Sequence, residues 1–155
     1  MYRIVFILLA LSLVLTSCDK NRIFEKNTEI PDMSWDKNNI LKFDVEINDT
    51  LSPDNIYINV RNASQYQFSN LFLFLKTRIP DGKASRDTVE LTLANEKGWL
   101  GDGAGDIWDN RILFKKNFHF PQAGTYTFEL EQGMRINPLP LLPSQSAGCG
   151  FPPAV

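Results

Sequence analysis

Histidine and cysteine are scarce in this 155-residue chain: His119 is the one histidine, and Cys18 and Cys149 are the two thiols. A Ser/His/Asp triad would need His119 held by a carboxylate and facing a nucleophile, and the sequence has no nucleophile elbow to supply one. Alternation puts His119 opposite Phe118 and Phe120, on a solvated strand face beside Asn117 and Lys115. Two cysteines this far apart in role make no useful staple, because Cys18 ends an apolar leader and Cys149 stands by itself near the end of the chain. The fold must therefore be held by apolar burial. Charge is nearly balanced, 16 basic against 18 acidic residues for a net of -2. That leaves no basic stripe for nucleic acid and no acidic tail. Asp102, Asp106 and Asp109 lie close together, yet a calcium loop starting at Asp102 would need Gly and Glu where Ile107 and Leu113 stand. Gly101, Gly103 and Gly105 lack the spacing and the following helix of a nucleotide fingerprint. No catalytic residue, metal or cofactor is expected, and the chain reads as a non-enzyme.

Beyond the leader there is no apolar run long enough to span a bilayer. The leader itself is explicit. Arg3 precedes an apolar segment from Ile4 to Leu15 broken only by Ser12, followed by Leu15-Thr16-Ser17-Cys18 and then an abruptly polar Asp19-Lys20-Asn21. This is the n-region, h-region and cleavage site of a secretory signal. The last four residues resemble a bacterial lipobox, which implies that residues 1–17 are removed and that Cys18 carries the lipid. With two or more acyl chains such a protein is stably anchored to a membrane without spanning it. Taking 17 residues from 155 leaves about the commonest size for one domain.

What the chain has in quantity is aromatic and β-branched residues in period two, with eleven Phe, four Tyr and three Trp. Residues 18–37 are polar, contain Pro31 and keep no period, so they read as a lipidated tether. Residues 41–47, 56–61, 87–93 and 125–130 alternate as half-buried strands. Residues 71–75 form an unbroken apolar run, expected in the middle of a sheet and covered on both faces. Ile79-Pro80-Asp81-Gly82 is turn chemistry. Residues 95–111 form the longest irregular segment, with Gly98, Gly101, Gly103 and Gly105 set around Trp99 and Trp108, and residues 112–120 make a further strand. No segment of ten or more residues keeps a helical period.

About seven short strands and no helix favour an all-β, antiparallel, immunoglobulin-like β-sandwich over residues 38–140. Gly124-Thr125-Tyr126 entering a strand near the end of the domain suggests a tyrosine corner. Tyr126 is either that corner or one more inward aromatic. Tyr66, Phe68, Trp99 and Trp108 are the candidate partner or ligand surface: they either form a platform for a partner or a sugar, or cap the ends of the sandwich.

The segments Ile58-Asn59-Val60-Arg61-Asn62, Tyr66-Gln67-Phe68-Ser69-Asn70-Leu71-Phe72-Leu73, Pro80-Asp81-Gly82-Lys83 with Asp87-Thr88, and Trp99-Leu100-Gly101 with Gly105-Asp106 follow a lipobox in this order. In order and spacing they resemble the gliding motility lipoprotein GldH family. The resemblance implies a lipid-anchored protein of the bacterial cell envelope, linked to other gliding motility proteins, with no enzymatic activity or cofactor. Two readings follow: a component or assembly factor that docks on envelope proteins, or a glycan- or small-ligand-binding module using the aromatic loops. From Leu141 the chain departs from the family pattern, where a short alternating strand is expected. Pro143, Pro152, Pro153, Gly148 and Gly150 argue for an irregular tail over residues 141–155, with a sheet edge left unpaired and a change of reading frame near codon 141 as its origin.

Overall fold

Alternation decides most of the strands. From Leu41 to Ile47 the odd-numbered residues are buried and the even-numbered ones exposed without exception, and in Asp54–Ala63 every second residue from Asp54 to Asn62 is buried and those between are less so, with Ala63 buried as well. The computed structural model describes residues 24–31, 34–140 and 146–151. In chain order its strands are β1 (Phe24–Glu29), β2 (Ser34–Trp35), β3 (Leu41–Ile47), β4 (Asp54–Ala63), β5 (Asn70–Arg78), β6 (Ala84–Thr92), β7 (Ala94–Asn95), β8 (Gly98–Trp99), β9 (Asp102–Ala104), β10 (Ile107–Phe118), β11 (Gly124–Gln132), β12 (Leu139–Pro140) and β13 (Ser146–Phe151). There is no α-helix among the described residues. The leader and Cys18 lie outside them.

Two antiparallel sheets form the sandwich, one in the order β1-β13-β4-β10-β9 and one in the order β3-β11-β5-β6. Their inner faces share one apolar core. Phe43 and Val45 of β3, Leu73 and Leu75 of β5 and Phe128 and Leu130 of β11 meet Ile56, Ile58 and Val60 of β4 there. Side chains of this kind stabilise by about 1.5–3 kcal/mol each when fully buried, which is the apolar burial expected to hold the fold. Leu71, Leu73 and Leu75 point inward as expected, but Phe72 and Phe74 are only half-buried on the outer face. Arg86 rather than a second layer of protein covers Phe74, its guanidinium 4.2 Å from the ring centre.

The corner at Tyr126 forms. Its ring is buried, packs edge-on against Phe120 at 4.8 Å, and its hydroxyl donates to the Gln122 carbonyl at 2.9 Å while accepting from the Gln122 N–H at 3.3 Å. The pairings β4–β10 and β5–β11 are the two central pairings of an immunoglobulin sandwich. The flanks differ: β3 pairs with β11 where an immunoglobulin domain would pair its first strand with its second, and β13 pairs with β4 where the last strand would join β11.

Both chain ends correct the sequence expectation. Residues 24–29, read as part of the tether, and residues 146–151, read as an irregular tail, pair with each other from Phe24↔Phe151 to Glu29↔Ser146. The same β13 pairs with β4 on its other side, so the domain runs past both boundaries expected for it. The prolines that argued against a strand, Pro143, Pro152 and Pro153, all fall outside β13, and a glycine-bearing strand is tolerable between two partners that satisfy its backbone. No edge is left open at β4, which removes the premise of a reading-frame change. The segment 95–111 is likewise two hairpins and not an irregular loop, β7 with β8 and β9 with β10. Gly105 has φ +63° in the two-residue connection between β9 and β10 while Asp106 does not, the pattern of a type II′ hairpin turn.

Candidate functional site

The end of the sandwich beyond β4 gathers most of the aromatic residues singled out by sequence. Tyr66 and Phe68 lie in the connection from β4 to β5, and the β7–β8 hairpin presents Trp99. Two hydrogen bonds fasten these loops together, from the N–H groups of Leu93 and Ala94 to the Ser69 carbonyl at 2.8 and 3.0 Å. Tyr66 is the centre of the group at 7% exposure. Phe68 meets it edge-on at 5.6 Å and Trp99 lies tilted at 6.4 Å. The Tyr66 hydroxyl donates to the Asn70 carbonyl at 3.2 Å, and burial pushes its pKa far up. A phenol so covered stays neutral and its ring faces are taken by neighbours.

Trp108 stands apart. It sits on β10, donates its indole N–H to Ser64 Oγ at 2.9 Å, and lies against Gly103 so closely that a Cβ there would come within 2.7 Å of the indole. The Ser64 N–H in turn donates to the Asp106 carbonyl at 2.8 Å. Three of the four aromatics are thus brought together, and the fourth pins the β9–β10 hairpin to the end of β4. Gly101 serves the same end: a Cβ there would lie 2.6 Å from the Asp109 carbonyl oxygen, so only glycine lets this loop pass so close to β10.

Two features escaped the sequence reading. Asn110 and Asn62, both buried, share a hydrogen bond of 2.7 Å from Asn110 Nδ2 to Asn62 Oδ1, with further donation to the Val60 carbonyl at 3.3 Å. Such a pair closes the polar end of the core, as buried amides require. The second is an apolar hollow of about 350 Å³ lined by Phe68, Phe72, Gly133, Met134, Arg135 and Ile136. The β11 end shapes it: the Gly133 N–H donates to the Phe72 carbonyl at 2.7 Å, and Met134 sulfur accepts from the Phe72 N–H at 3.4 Å. Ile136 remains 45% exposed at its rim. The apolar run 71–75 marked Phe72 as a sheet residue, but nothing local to residues 133–136 shows that they fold back over it.

His119 is exposed, and no group of three His, Cys, Asp or Glu among the described residues is placed to hold a metal ion. Asp54 at the start of β4 is buried, with Oδ1 lacking a hydrogen-bond partner among the described residues. Burial raises its pKa, the carboxylate of Asp49 adds to the rise and His119 opposes it.

Compared with known families, residues 22–144 match the model for the GldH lipoprotein. The chain belongs to the GldH lipoprotein family. It is 34% identical over 134 residues to the gliding motility lipoprotein GldH homolog of Christiangramia forsetii, covering 86% of this chain and 82% of that protein. To the gliding motility lipoprotein GldH of Flavobacterium johnsoniae it is 33% identical over 130 residues, covering 83% and 80%. No solved structure matches the chain. The family match begins just before β1 and ends between β12 and β13, so it takes in the aromatic end and the apolar hollow entire. As a family lipoprotein the protein is anchored to a membrane of the cell envelope.

Proposed function

We propose that this GldH family member is a non-enzymatic component or assembly factor of the gliding motility machinery, held at a membrane by lipid on Cys18 and docked on other envelope proteins through the aromatic end of its sandwich. The observation that carries the reading is the apolar hollow beside Phe68. Its walls belong to a braced end of the molecule, since Phe68 packs on the buried Tyr66, which Trp99 meets in turn, and apolar hollows with a charged rim such as Arg135 fit a partner's side chain. Sugar stacking on the loop aromatics is the weaker reading, because Tyr66 has no free ring face and Trp99 is partly buried against the core.

Two substitutions test the two halves. Cys18→Ala should move the protein out of the membrane fraction or leave it unprocessed, and should abolish labelling by radioactive palmitate; unchanged fractionation and labelling would contradict the anchor. Phe68→Glu should leave the lipidated protein in the membrane but abolish its co-isolation with motility proteins and its ability to restore gliding to a strain lacking it. Normal gliding and co-isolation with Phe68→Glu would contradict docking at this end.

A further inference from the structure

The outer face of the five-stranded sheet carries a groove of about 350 Å³ whose polar walls include Glu25, Asn27, Asn59, Arg61, Asp109 and Arg111. Register explains the shape. Asn27 stands opposite Gly148, Gly148 opposite Asn59, and Asn59 opposite Arg111, so one row across four strands reads Asn27, Gly148, Asn59, Arg111. The neighbouring row reads Glu29, Ser146, Arg61, Asp109. Glycine at position 148 leaves the first row without a side chain at its middle, between polar residues on β1 and β4. Glycine inside a strand marks places where a ligand can come close to the backbone.

The walls are chemically uniform. Their polar side chains end in an amide, a carboxylate or a guanidinium, planar groups that each offer paired hydrogen-bonding atoms. Arg61 is already neutralised, with Nε 2.6 Å from Asp109 Oδ1 and a terminal nitrogen 3.1 Å from Oδ2. Asn59 donates from Nδ2 to Glu25 Oε1 at 3.1 Å, while its buried Oδ1 accepts no hydrogen bond among the described residues. The Arg111 guanidinium lies 4.3 Å over the Tyr57 ring and forms no ion pair among the described residues. Carboxylates and guanidiniums offset one another along the walls, which disfavours both a phosphate and a metal cation.

We propose that this groove binds a neutral saccharide. Adjacent ring hydroxyls are donor and acceptor at once and match planar amide and carboxylate groups, while the side-chain-free middle of the row admits the ring. Because Arg111 covers the Tyr57 face, recognition rests on hydrogen bonds and not on stacking. The site is separate from the aromatic end, and the proposal stands independently of the docking role.

The test uses the full-length lipoprotein in a detergent without a sugar headgroup, with maltotriose, chitotriose and xylotriose added singly and saturation-transfer NMR as the readout. At least one trisaccharide should receive saturation. Arg111→Gln should weaken its binding about tenfold, the scale of one charge-assisted hydrogen bond, and Gly148→Val should abolish binding with the melting temperature kept. Should Gly148→Val fail to fold, Asn27→Ala on the exposed edge strand decides in its place by the same loss. Transfer to none of the three, transfer that persists in these variants, or binding confined to the charged trigalacturonate would overturn the proposal.

Discussion

The two sheets of this sandwich are assembled from different kinds of sequence. All four strands of the sheet β3-β11-β5-β6 come from the middle of the chain; β3 buries every second residue from end to end, β5 does so from Leu71 to Leu75 and β11 from Tyr126 to Gln132, while the edge strand β6 buries only Leu91. The sheet β1-β13-β4-β10-β9 instead takes β1 and β13 from the two ends, where no alternation exists. Strand β1 is an edge whose residues are mostly exposed on both faces, so there is no buried side to impose a period. Charged residues there protect an edge rather than fill a core. Period two is legible only where one face is dry.

The outer faces differ in the same sense. On the four-stranded sheet, Glu129 sits between Lys76 and Arg78 at 3.6 and 3.3 Å, and Glu131 is 3.2 Å from Arg86. These charges satisfy one another. On the five-stranded sheet the amides of Asn27 and Asn59 flank a row with no side chain at its middle, and the ion pair of Arg61 with Asp109 leaves Arg111 over.

The largest effect expected is from removing residues 141–155, which would strip β1 and β4 of a shared partner. Thermal unfolding followed by circular dichroism should lose its cooperative transition, and a transition like that of the intact protein would place β13 outside the fold. Phe128→Ala, at the buried centre of the four-stranded sheet, should cost about 3–5 kcal/mol in denaturant unfolding. A cost below about 1 kcal/mol would mean that the two sheets do not share one core.

Gly101→Ala comes next, at about 1–3 kcal/mol, because the added methyl must displace the loop from the Asp109 carbonyl. Tyr126→Phe keeps the ring and removes both bonds to Gln122, for about 1–2 kcal/mol. A neutral result would show that the corner is packing alone.

The smallest effect concerns Asp54. Its folded pKa lies above the unfolded one, so the folded protein holds the proton more tightly. Stability is therefore favoured below the unfolded pKa and declines as pH rises through the folded one. Asp54→Asn should raise the melting temperature at pH 7, and the gain should shrink as the pH falls through the raised folded pKa and be gone below the unfolded value of about 4. A gain independent of pH would contradict burial of the charge as its cause.

Much of this was readable in the sequence, and the exceptions share a cause. The strands β3, β4 and β11 follow from alternation and β5 from its apolar run, while the Gly-x-Tyr spacing raised the corner at Tyr126 as one of two readings. The hairpins within residues 95–111 were not readable, because strands of two or three residues rich in glycine have no period to show. Tyr66, Phe68 and Trp99 stand out by type alone, yet that they pack on one another while Trp108 pairs with Ser64 depends on contacts distant in sequence. The pairing of Asn62 with Asn110 across β4 and β10 is of the same kind, and so is the fold-back of Met134 onto Phe72.

The closing of the five-stranded sheet by the two chain ends is tested most directly by amide hydrogen exchange over residues 146–151 of the full-length protein. Hydrogen bonding to β1 on one side and β4 on the other predicts protection there that approaches the stability of the whole domain, lost together with that of β4. Exchange at the rate of an unstructured chain across residues 146–151, with β4 still protected, would contradict it.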